Sequence, residues 1–276
     1  MNSLMEDNLD KDKYGRVPED RAHGKPDSHG SSLEVKLKSA QQIALMKEPL
    51  PQSVSQLRAR KIIYPEMKDR DVLDTFRRLR TKLLQISAGD NFIVMLTPVV
   101  PGNGASFSAT NLAVAFALDN TKTALVVDCN FRNPVQHKRF GVGGTRELIG
   151  LTDYIENPDT LDPEGWSVDD IIYPTGIKRV SMVPVGKRRE VSQEYVASAH
   201  MEAFFAEVRN RYPDRFIFVD APSISESPDA MVLADLCDMV VLCVGYGKTT
   251  LNRIAQVAAE FGDEKLAGVI FTEGVA

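Results

Sequence analysis

Two hydrophobic patterns alternate along the chain from about residue 69 onward. Between Asp69 and Ile86, apolar residues recur at the spacing of one helix face. Short apolar runs follow, separated in most places by further helical patterns: NFIVMLTPVV, TALVVDCN, VSMVPV, RFIFVDAP, DMVVLCVGYG and LAGVIF. Strands that are apolar throughout and alternate with helices are typical of a parallel sheet covered on both sides. The pattern therefore predicts an α/β fold, with a mostly parallel sheet and helices on both faces.

Residues 1–60 lack this alternation. Their first half is rich in Gly, Pro and charges of both signs, and it holds too little apolar surface to offset the entropy lost on folding. Residues 33–48 show a weak helical periodicity, typical at most of a short docking segment. We therefore expect a disordered or flexible N-terminal region, 1–60, followed by one folded domain, 61–276.

Composition narrows the classes of function. The net charge is −5, so no overall basic field favours nucleic acid, and no nucleic-acid partner is expected. No apolar run approaches the ~20 residues that span a bilayer, and the N-terminus carries no apolar signal core. The expected location is the cytoplasm, where a membrane-bound partner could hold the protein at the inner membrane. Cys129, Cys237 and Cys243 lie in apolar runs and are expected to be buried thiols.

The loop VVPGNGAS, which links the first apolar run to a helix, has the frame of a phosphate-binding loop. Gly102 and Gly104 allow the backbone to turn its N–H groups inward, and Ser106 stands where a hydroxyl would bind Mg²⁺. In the full motif GxxxxGK[ST] a lysine precedes that hydroxyl, and here the position holds Ala105. Taken alone, the loop is equally compatible with a Gly/Pro turn that binds nothing.

Two aspartates come at strand ends. Asp128 ends the run ALVVD, and Asp220 ends the run FIFVD. In open α/β sheets, ligands gather at the carboxyl ends of the strands, so the loop and both aspartates are expected to converge on a metal site. For each aspartate alone, a helix cap or a turn is the competing interpretation.

At this level of detail, residues 69 to 276 resemble the cytoplasmic domain of the bacterial tyrosine kinases (BY-kinases). That family belongs with the MinD- and ParA-like P-loop ATPases of three-layer αβα architecture, and serves capsular and exopolysaccharide export. PGNGASFSATNLA resembles the Walker A loop with its helix, LVVDCNFRNPVQHKRFG the Walker A′ segment, and FIFVDAPSISESPDAMVLADL the Walker B segment. DTFRRLRTKL resembles the ExxRxxR helix that joins subunits of the family into rings. The order and spacing of these pieces make the resemblance specific.

The resemblance implies a set of ligands, partners and residues. The cofactors are ATP or ADP with Mg²⁺. The partners are a membrane-embedded polysaccharide chain-length regulator (co-polymerase), and either further copies of this chain or a related kinase. The implied residues are Asp128 and Asp220 for catalysis; Gly102, Asn103, Gly104, Ala105, Ser106 and Phe107 for nucleotide; Ser106, Asp128 and Asp220 for Mg²⁺; and Asp74, Arg77 and Arg80 for oligomer contacts.

Several positions depart from the family pattern. Ala105 replaces the Walker A lysine, and Asn130 replaces the second aspartate of Walker A′. Thr272 stands where an adenine-reading asparagine is usual, and Ser223 replaces a proline of Walker B. No tyrosine follows Tyr246, whereas the family carries a tyrosine-rich tail as its autophosphorylation substrate. We therefore expect the catalytic apparatus to be impaired.

Three functions follow from this comparison. The leading hypothesis is a degenerate BY-kinase-like regulatory or scaffolding subunit, with weak or no ATP binding and little phosphoryl transfer. The second is an active tyrosine autokinase or ATPase with an unusual phosphate loop, in which Lys122, Lys187 or Lys248 supplies the missing charge. The third is a positioning ATPase of the MinD or ParA kind, which would need an amphipathic tail or a basic face.

Overall fold

The computed structural model describes residues 50–144, 147–158, 165–187, 193–211 and 214–272. These residues form one seven-stranded sheet in the order β3-β4-β2-β5-β1-β6-β7. Neighbouring strands are parallel except for the β3–β4 pair at one edge. The strands are β1 Ile93–Pro98, β2 Thr123–Asp128, β3 Tyr173–Pro174, β4 Val180–Val183, β5 Arg215–Asp220, β6 Met239–Gly245 and β7 Leu266–Thr272.

Helices cover both faces of the sheet. On one side lie α2 (Arg70–Ile86) and α3 (Ala105–Ala117), together with the shorter α1 (Val54–Ala59) and α4 (Gln136–Phe140). On the other side lie α5 Leu151–Glu156, the 3-10 turn Val168–Ile171, α6 Gln193–Val196, α7 Ala199–Arg211, α8 Asp229–Asp235 and α9 Leu251–Lys265. The prediction of a three-layer αβα fold is therefore confirmed.

Alternation along each buried strand divides the core into two layers. In β1, Val94 and Leu96 pack under α2 and α3, whereas Ile93 and Met95 pack against the opposite helices. This period of two is what a strand buried on both faces requires, and it explains why the strands read as continuous apolar runs.

A cluster of four phenylalanines anchors α3 over the central strands. Phe116 lies 4.8 Å from Phe216 and 5.2 Å from Phe218 between ring centroids, and Phe92 contacts all three, mostly edge to face. Edge-to-face packing of aromatic rings has a preferred geometry, which limits how far α3 can shift over the strands. The cluster therefore fixes the helix that follows the phosphate-type loop.

The folded part extends into the segment that the sequence predicts to be flexible. Helix α1 is closed by a capping box between Ser53 and Gln56, and the side chain of Gln52 donates to the carbonyls of Phe140 and Thr175 at 2.8 and 2.6 Å. A short polar segment does not predict such long-range contacts, so the structure contains a helix before the boundary predicted at residue 60. The division of the chain into two regions stays a prediction. Residues 1–49 lie outside the described residues, and their flexibility stays a prediction.

A strap of residues 61–64 follows α1 and lies against α3. The amide oxygen of Asn111 accepts the Ile63 N–H at 2.8 Å, and its nitrogen donates to the carbonyls of Lys61 and Phe107 at 3.1 and 3.0 Å. Asn111 is fully buried, and its side chain bonds three backbone groups, of which the Ile63 N–H is buried as well. Within the described residues, no helix has the length and apolar character needed to cross a membrane.

We expect Asn111→Ala to lower the free energy of unfolding by about 2–4 kcal/mol, because it leaves the buried Ile63 N–H without its partner and removes two further hydrogen bonds to the backbone. The matched control is Asn210→Ala, at an exposed position of α7, which we expect to change stability by less than about 0.5 kcal/mol. Urea unfolding of both variants measures the difference. Equal losses would contradict the role of Asn111 in holding the strap.

Candidate functional site

Three central strands place polar groups at the carboxyl-terminal ends of the sheet. β1 runs directly into the loop that starts at Val99, while β2 and β5 end at Asp128 and Asp220. β5 pairs with both β1 and β2, and its register places Asp128 opposite Asp220. The loop and both aspartates therefore lie at the same ends of neighbouring strands, whereas a metal site formed by them stays a prediction.

The loop keeps the shape of a phosphate cradle. Gly102 and Gly104 have φ values of 78° and 77°, in the left-handed region that side chains with a Cβ rarely adopt. Gly104 begins α3 without any side-chain cap, and no acceptor among the described residues takes the N–H groups of Gly102, Asn103 or Gly104. Unpartnered N–H groups at a helix start form a site for an anion. The backbone thus fits phosphate.

Side chains of Asn103 and Thr272 stabilise the cradle. Asn103 is fully buried, its side-chain oxygen accepts the Val100 N–H at 3.4 Å, and its carbonyl accepts the Thr272 hydroxyl at 2.9 Å. The side chain of Thr272 also lies 3.1 Å from where a Cβ on Gly104 would stand. The sequence shows Thr272 only as a departure from the family pattern. In the structure it contacts the loop and stabilises it.

The two carboxylates are satisfied very differently. Asp128 accepts three backbone N–H groups, from Asn130 at 3.2 Å, Val135 at 3.0 Å and Gln136 at 2.9 Å. It therefore shapes the turn that leads into α4. In Asp220 one oxygen accepts the side-chain amide of Gln136, but the other is buried and has no partner in the described chain. Only Asp220 retains an oxygen available to a ligand.

Gln136 links the pair to the loop, and no pattern in the sequence pointed to it. Its amide nitrogen donates to Asp220 at 2.8 Å and to the carbonyl of Ser106 at 3.1 Å, and its oxygen accepts the Thr110 hydroxyl at 2.8 Å. The residue is fully buried. Its position depends on the turn that Asp128 holds, which is a long-range effect outside the reach of local sequence signals.

Arg139 is a second residue that the sequence did not indicate. Its Nε donates to the Thr110 hydroxyl at 2.9 Å, and its guanidinium lies 5.4 Å from the centroid of the Phe107 ring. Its Nη2 is buried and has no acceptor among the described residues. Burial lowers the pKa of Arg139, and attraction to Asp220 opposes that change. A cation thus lies beside α3, one turn after Ser106.

Burial dominates the ionisation of the carboxylate pair. It raises the pKa of Asp220 to about 6, although the Ser106 hydroxyl, the Gln136 amide and Arg139 each favour the charged form. Burial and the neighbouring Asp220 also raise the pKa of Asp128 well above its ordinary value, against the three N–H groups that lower it. Two buried carboxylates side by side are costly to ionise together.

The lysine position carries no charge. Ala105 is 4 % exposed and packs in the core layer with α2 and α3. Of the predicted substitutes, Lys122 binds Asp119 at 2.8 Å, and Lys187 lies 3.9 Å from Asp153. The methylenes of Lys248 lie against Gly245, 2.7 Å from where a Cβ on that glycine would stand. Lys122 and Lys187 are therefore already engaged by other carboxylates.

The predicted oligomer residues do not share one free edge. Asp74 and Arg77 form an exposed ion pair at 3.2 Å, but Arg80 turns inward and donates to the carbonyl of Ala115 in α3 at 2.8 Å. Helical spacing alone predicted a common face. The neighbouring helix supplied an acceptor that the spacing could not show.

The donor set fits Mg²⁺ only in part. A hydroxyl at Ser106 and the free oxygen of Asp220 are the hard oxygen ligands that Mg²⁺ prefers, usually with several waters retained. Asp128 already accepts three N–H groups, two on one oxygen and one on the other, so it has less capacity left for a metal than Asp220. Among the residues that the structure describes, no group of three or more His, Cys, Asp or Glu side chains could hold a metal ion.

We expect Asp220→Asn to stabilise the fold near pH 7.5 in the presence of EDTA. Because the pKa is raised from 3.8 to about 6, the folded state binds the extra proton, and stability falls as pH rises through that window. The variant removes this loss, which amounts to about 1–3 kcal/mol near pH 7.5 and almost nothing near pH 4. Thermal unfolding at both pH values is the measurement.

Asp128→Asn is the companion variant. An amide nitrogen would face one of three N–H donors, which should destabilise the fold by about 1–3 kcal/mol. Because the pKa of Asp128 is also raised, removal of its charge offsets part of that loss as the pH rises, so the loss should be largest near pH 4. An Asp128→Asn variant as stable near pH 4 as Asp220→Asn would show that the pair does not divide its tasks in this way.

Comparison with known proteins gives a consistent family. No protein-family model matches the chain. The tyrosine-protein kinase CpsD of Streptococcus agalactiae is 30 % identical over 200 residues, which cover 72 % of this chain and 82 % of CpsD. The tyrosine-protein kinase YwqD of Bacillus subtilis is 28 % identical over 201 residues, covering 71 % of this chain and 79 % of YwqD.

Solved structures share the fold. The chimerical protein CapA2B2 superposes with a TM-score of 0.65 at 22 % identity, covering 86 % of this chain and 97 % of that protein. The kinase domain of the Escherichia coli tyrosine kinase ETK gives a TM-score of 0.63 at 20 % identity, covering 81 % and 87 %. Together with the identity to CpsD over most of its length, these comparisons show that the chain belongs to the family of the bacterial tyrosine-protein kinases.

Proposed function

We propose that this chain is a degenerate member of its family, a regulatory or scaffolding subunit with weak or no ATP binding and little phosphoryl transfer. The pathway that we assign to it is capsular or exopolysaccharide synthesis and export, on the strength of the family resemblance. Its place is the cytoplasm, at the inner membrane through a membrane-embedded chain-length regulator.

The observation that carries this proposal is Ala105. Phosphoryl transfer in this type of site depends on positioning and on stabilising charge that develops on the phosphate oxygens. Loss of one such electrostatic contact costs about 10²- to 10³-fold in rate in other enzymes. Lys122 and Lys187 are engaged by other carboxylates, and the methylenes of Lys248 lie against Gly245, which the Asn103 side chain also approaches. The loop itself contains no lysine and offers phosphate its backbone N–H groups.

The remaining parts of the site favour weak nucleotide binding over none. The N–H groups of Gly102 to Gly104 would hold phosphate oxygens, and Ser106 with Asp220 would hold Mg²⁺. Bound Mg²⁺ would neutralise charge on the phosphates. Gln136 opposes the binding of Mg²⁺, because its amide already occupies one oxygen of Asp220. Mg²⁺ would have to bind the other oxygen alone or displace the amide.

One observation favours the alternative of an active tyrosine autokinase or ATPase. The guanidinium of Arg139 is partly buried beside the first turns of α3, and its Nη2 has no acceptor in the described chain. A guanidinium is a strong partner for phosphate. If a rearrangement of α4 brought Arg139 to the loop, it would replace the lysine charge from another element.

The substitution Ala105→Lys distinguishes the degenerate subunit from the active kinase. We expect the wild-type chain to give little or no heat with ATP and Mg²⁺ in calorimetry, and Ala105→Lys to bind at least about tenfold more tightly, because the lysine adds a charge-assisted contact to phosphate. Ala105→Met is the matched control, since its side chain is similarly long but uncharged, and it should gain nothing.

Two outcomes would reject the proposal. One is tight ATP binding by the wild type that Asp128→Ala abolishes. The other is transfer of labelled phosphate to tyrosine that Arg139→Gln abolishes while Lys138→Gln, at the exposed neighbouring position, leaves it intact. Either would identify a working enzyme with an unusual phosphate grip.

The scaffolding role requires assembly, either with further copies or with a related kinase. The exposed pair Asp74–Arg77 is the part of the predicted edge that is open to a neighbour, whereas Arg80 is committed to α3. We propose that this pair forms the outer contact of the assembly.

We expect the wild type to exceed the mass of a 30.5 kDa monomer in light scattering, alone or mixed with an active relative. The double variant Asp74→Ala/Arg77→Ala should lower that mass, because it removes both charges of the edge. Arg211→Ala/Asp169→Ala removes another exposed pair of the same 3.2 Å length and should leave the mass unchanged. An unchanged mass in the first variant would exclude this edge from the interface.

A further inference from the structure

A cavity of about 420 Å³ lies beside the first turn of α3, outside the phosphate loop. Its walls come from the end of α1, the strap 61–64, the start of α2 and Phe107. This volume falls within the range of small-molecule and side-chain binding pockets. Phe107 is its one residue in common with the predicted nucleotide-binding set, and the glycines, Ser106 and both aspartates take no part in it.

The cavity is built rigidly on one side. Lys61 has a φ of 54°, a strained value for a residue with a side chain, and the hydrogen bonds of Asn111 hold the strap in that shape. Backbone strain that the surroundings maintain is a common property of binding sites. A pocket of fixed shape loses little entropy when a ligand enters.

Its chemistry combines an apolar floor with a cationic rim. Ile62 is buried, and Met67, Val72 and Phe107 are half-buried around it. Lys61 and Lys68 are exposed on the rim, and no described carboxylate pairs with either.

The other polar groups of the rim are already oriented. Arg58 is exposed, and one of its nitrogens donates to the hydroxyl of Tyr64 at 3.3 Å. The single acid, Asp69, caps α2 by accepting the Val72 N–H at 3.3 Å. The rim therefore carries three cations against one carboxylate that is already engaged, and it favours an anion.

We propose that this cavity binds a phosphotyrosine side chain presented by a partner protein. The aromatic ring would lie on the floor formed by Met67, Val72 and Phe107, and the phosphate would meet Lys61, Lys68 and Arg58. Recognition of phosphorylated motifs by clusters of basic residues is a recurrent mode of binding, and charge-assisted contacts to phosphate are among the strongest polar contacts. The proposal rests on the scaffolding role, in which this chain would dock on a phosphorylated relative.

Fluorescence anisotropy of a labelled, otherwise neutral peptide with one phosphotyrosine tests the pocket on the full chain. We expect it to bind at least about tenfold more tightly than the tyrosine peptide, which lacks the charge, and more tightly than the phosphoserine peptide, which lacks the ring. The double variant Lys61→Gln/Lys68→Gln should weaken binding at least about tenfold. Lys82→Gln/Lys138→Gln loses the same charge at exposed sites outside the cavity and should not.

Two results would overturn this assignment: equal binding of the tyrosine peptide, or unchanged binding by the Lys61/Lys68 variant with an unaltered melting temperature. If the wild type instead proves to be an active kinase while the peptide still binds through Lys61 and Lys68, the scaffolding proposal fails and the pocket stands.

Discussion

The register between β2 and β5 is the constraint on which this site depends. It sets Asp128 and Asp220 side by side in a fully buried position, where two negative charges repel each other and lose their solvation. Two sets of contacts offset this cost. Backbone N–H groups converge on Asp128, whereas the Gln136 amide, the Ser106 hydroxyl and Arg139 favour the charged form of Asp220. The turn after β2 and the start of α4 are shaped by that requirement.

This division of tasks explains why a frame can persist when its catalytic charge is gone. Asp128 is a structural residue as much as a ligand candidate, because the path of residues 130–136 depends on its two oxygens. Thr272, at the end of β7, stabilises the loop in a similar way through its hydrogen bond to the carbonyl of Asn103. Replacing a lysine by alanine at position 105 removes a charge from the loop without removing any of these supports.

Much of the architecture was predictable from the sequence, because each layer imposes its own period on the hydrophobic residues. Strands buried on both faces gave continuous apolar runs, and the strand ends located the loop, Asp128 and Asp220. What could not be predicted depends on contacts between distant segments. Gln136 and Arg139 reach the site only because of the turn before α4, Arg80 points inward because α3 offers a carbonyl, and α1 is ordered through Gln52.

Asn111 joins the strap to the first turn of α3. Its amide nitrogen binds the carbonyl of Lys61 in the strap and the carbonyl of Phe107 in the first turn of α3. A molecule that displaced the strap would therefore break the hydrogen bonds that join it to α3 through Asn111, one turn from Phe107. Where two sites share such an element, linkage is reciprocal: whatever factor one occupant imposes on the affinity of the other is returned in equal measure. Even without phosphoryl transfer, nucleotide binding at the loop would then change the affinity of the surface pocket.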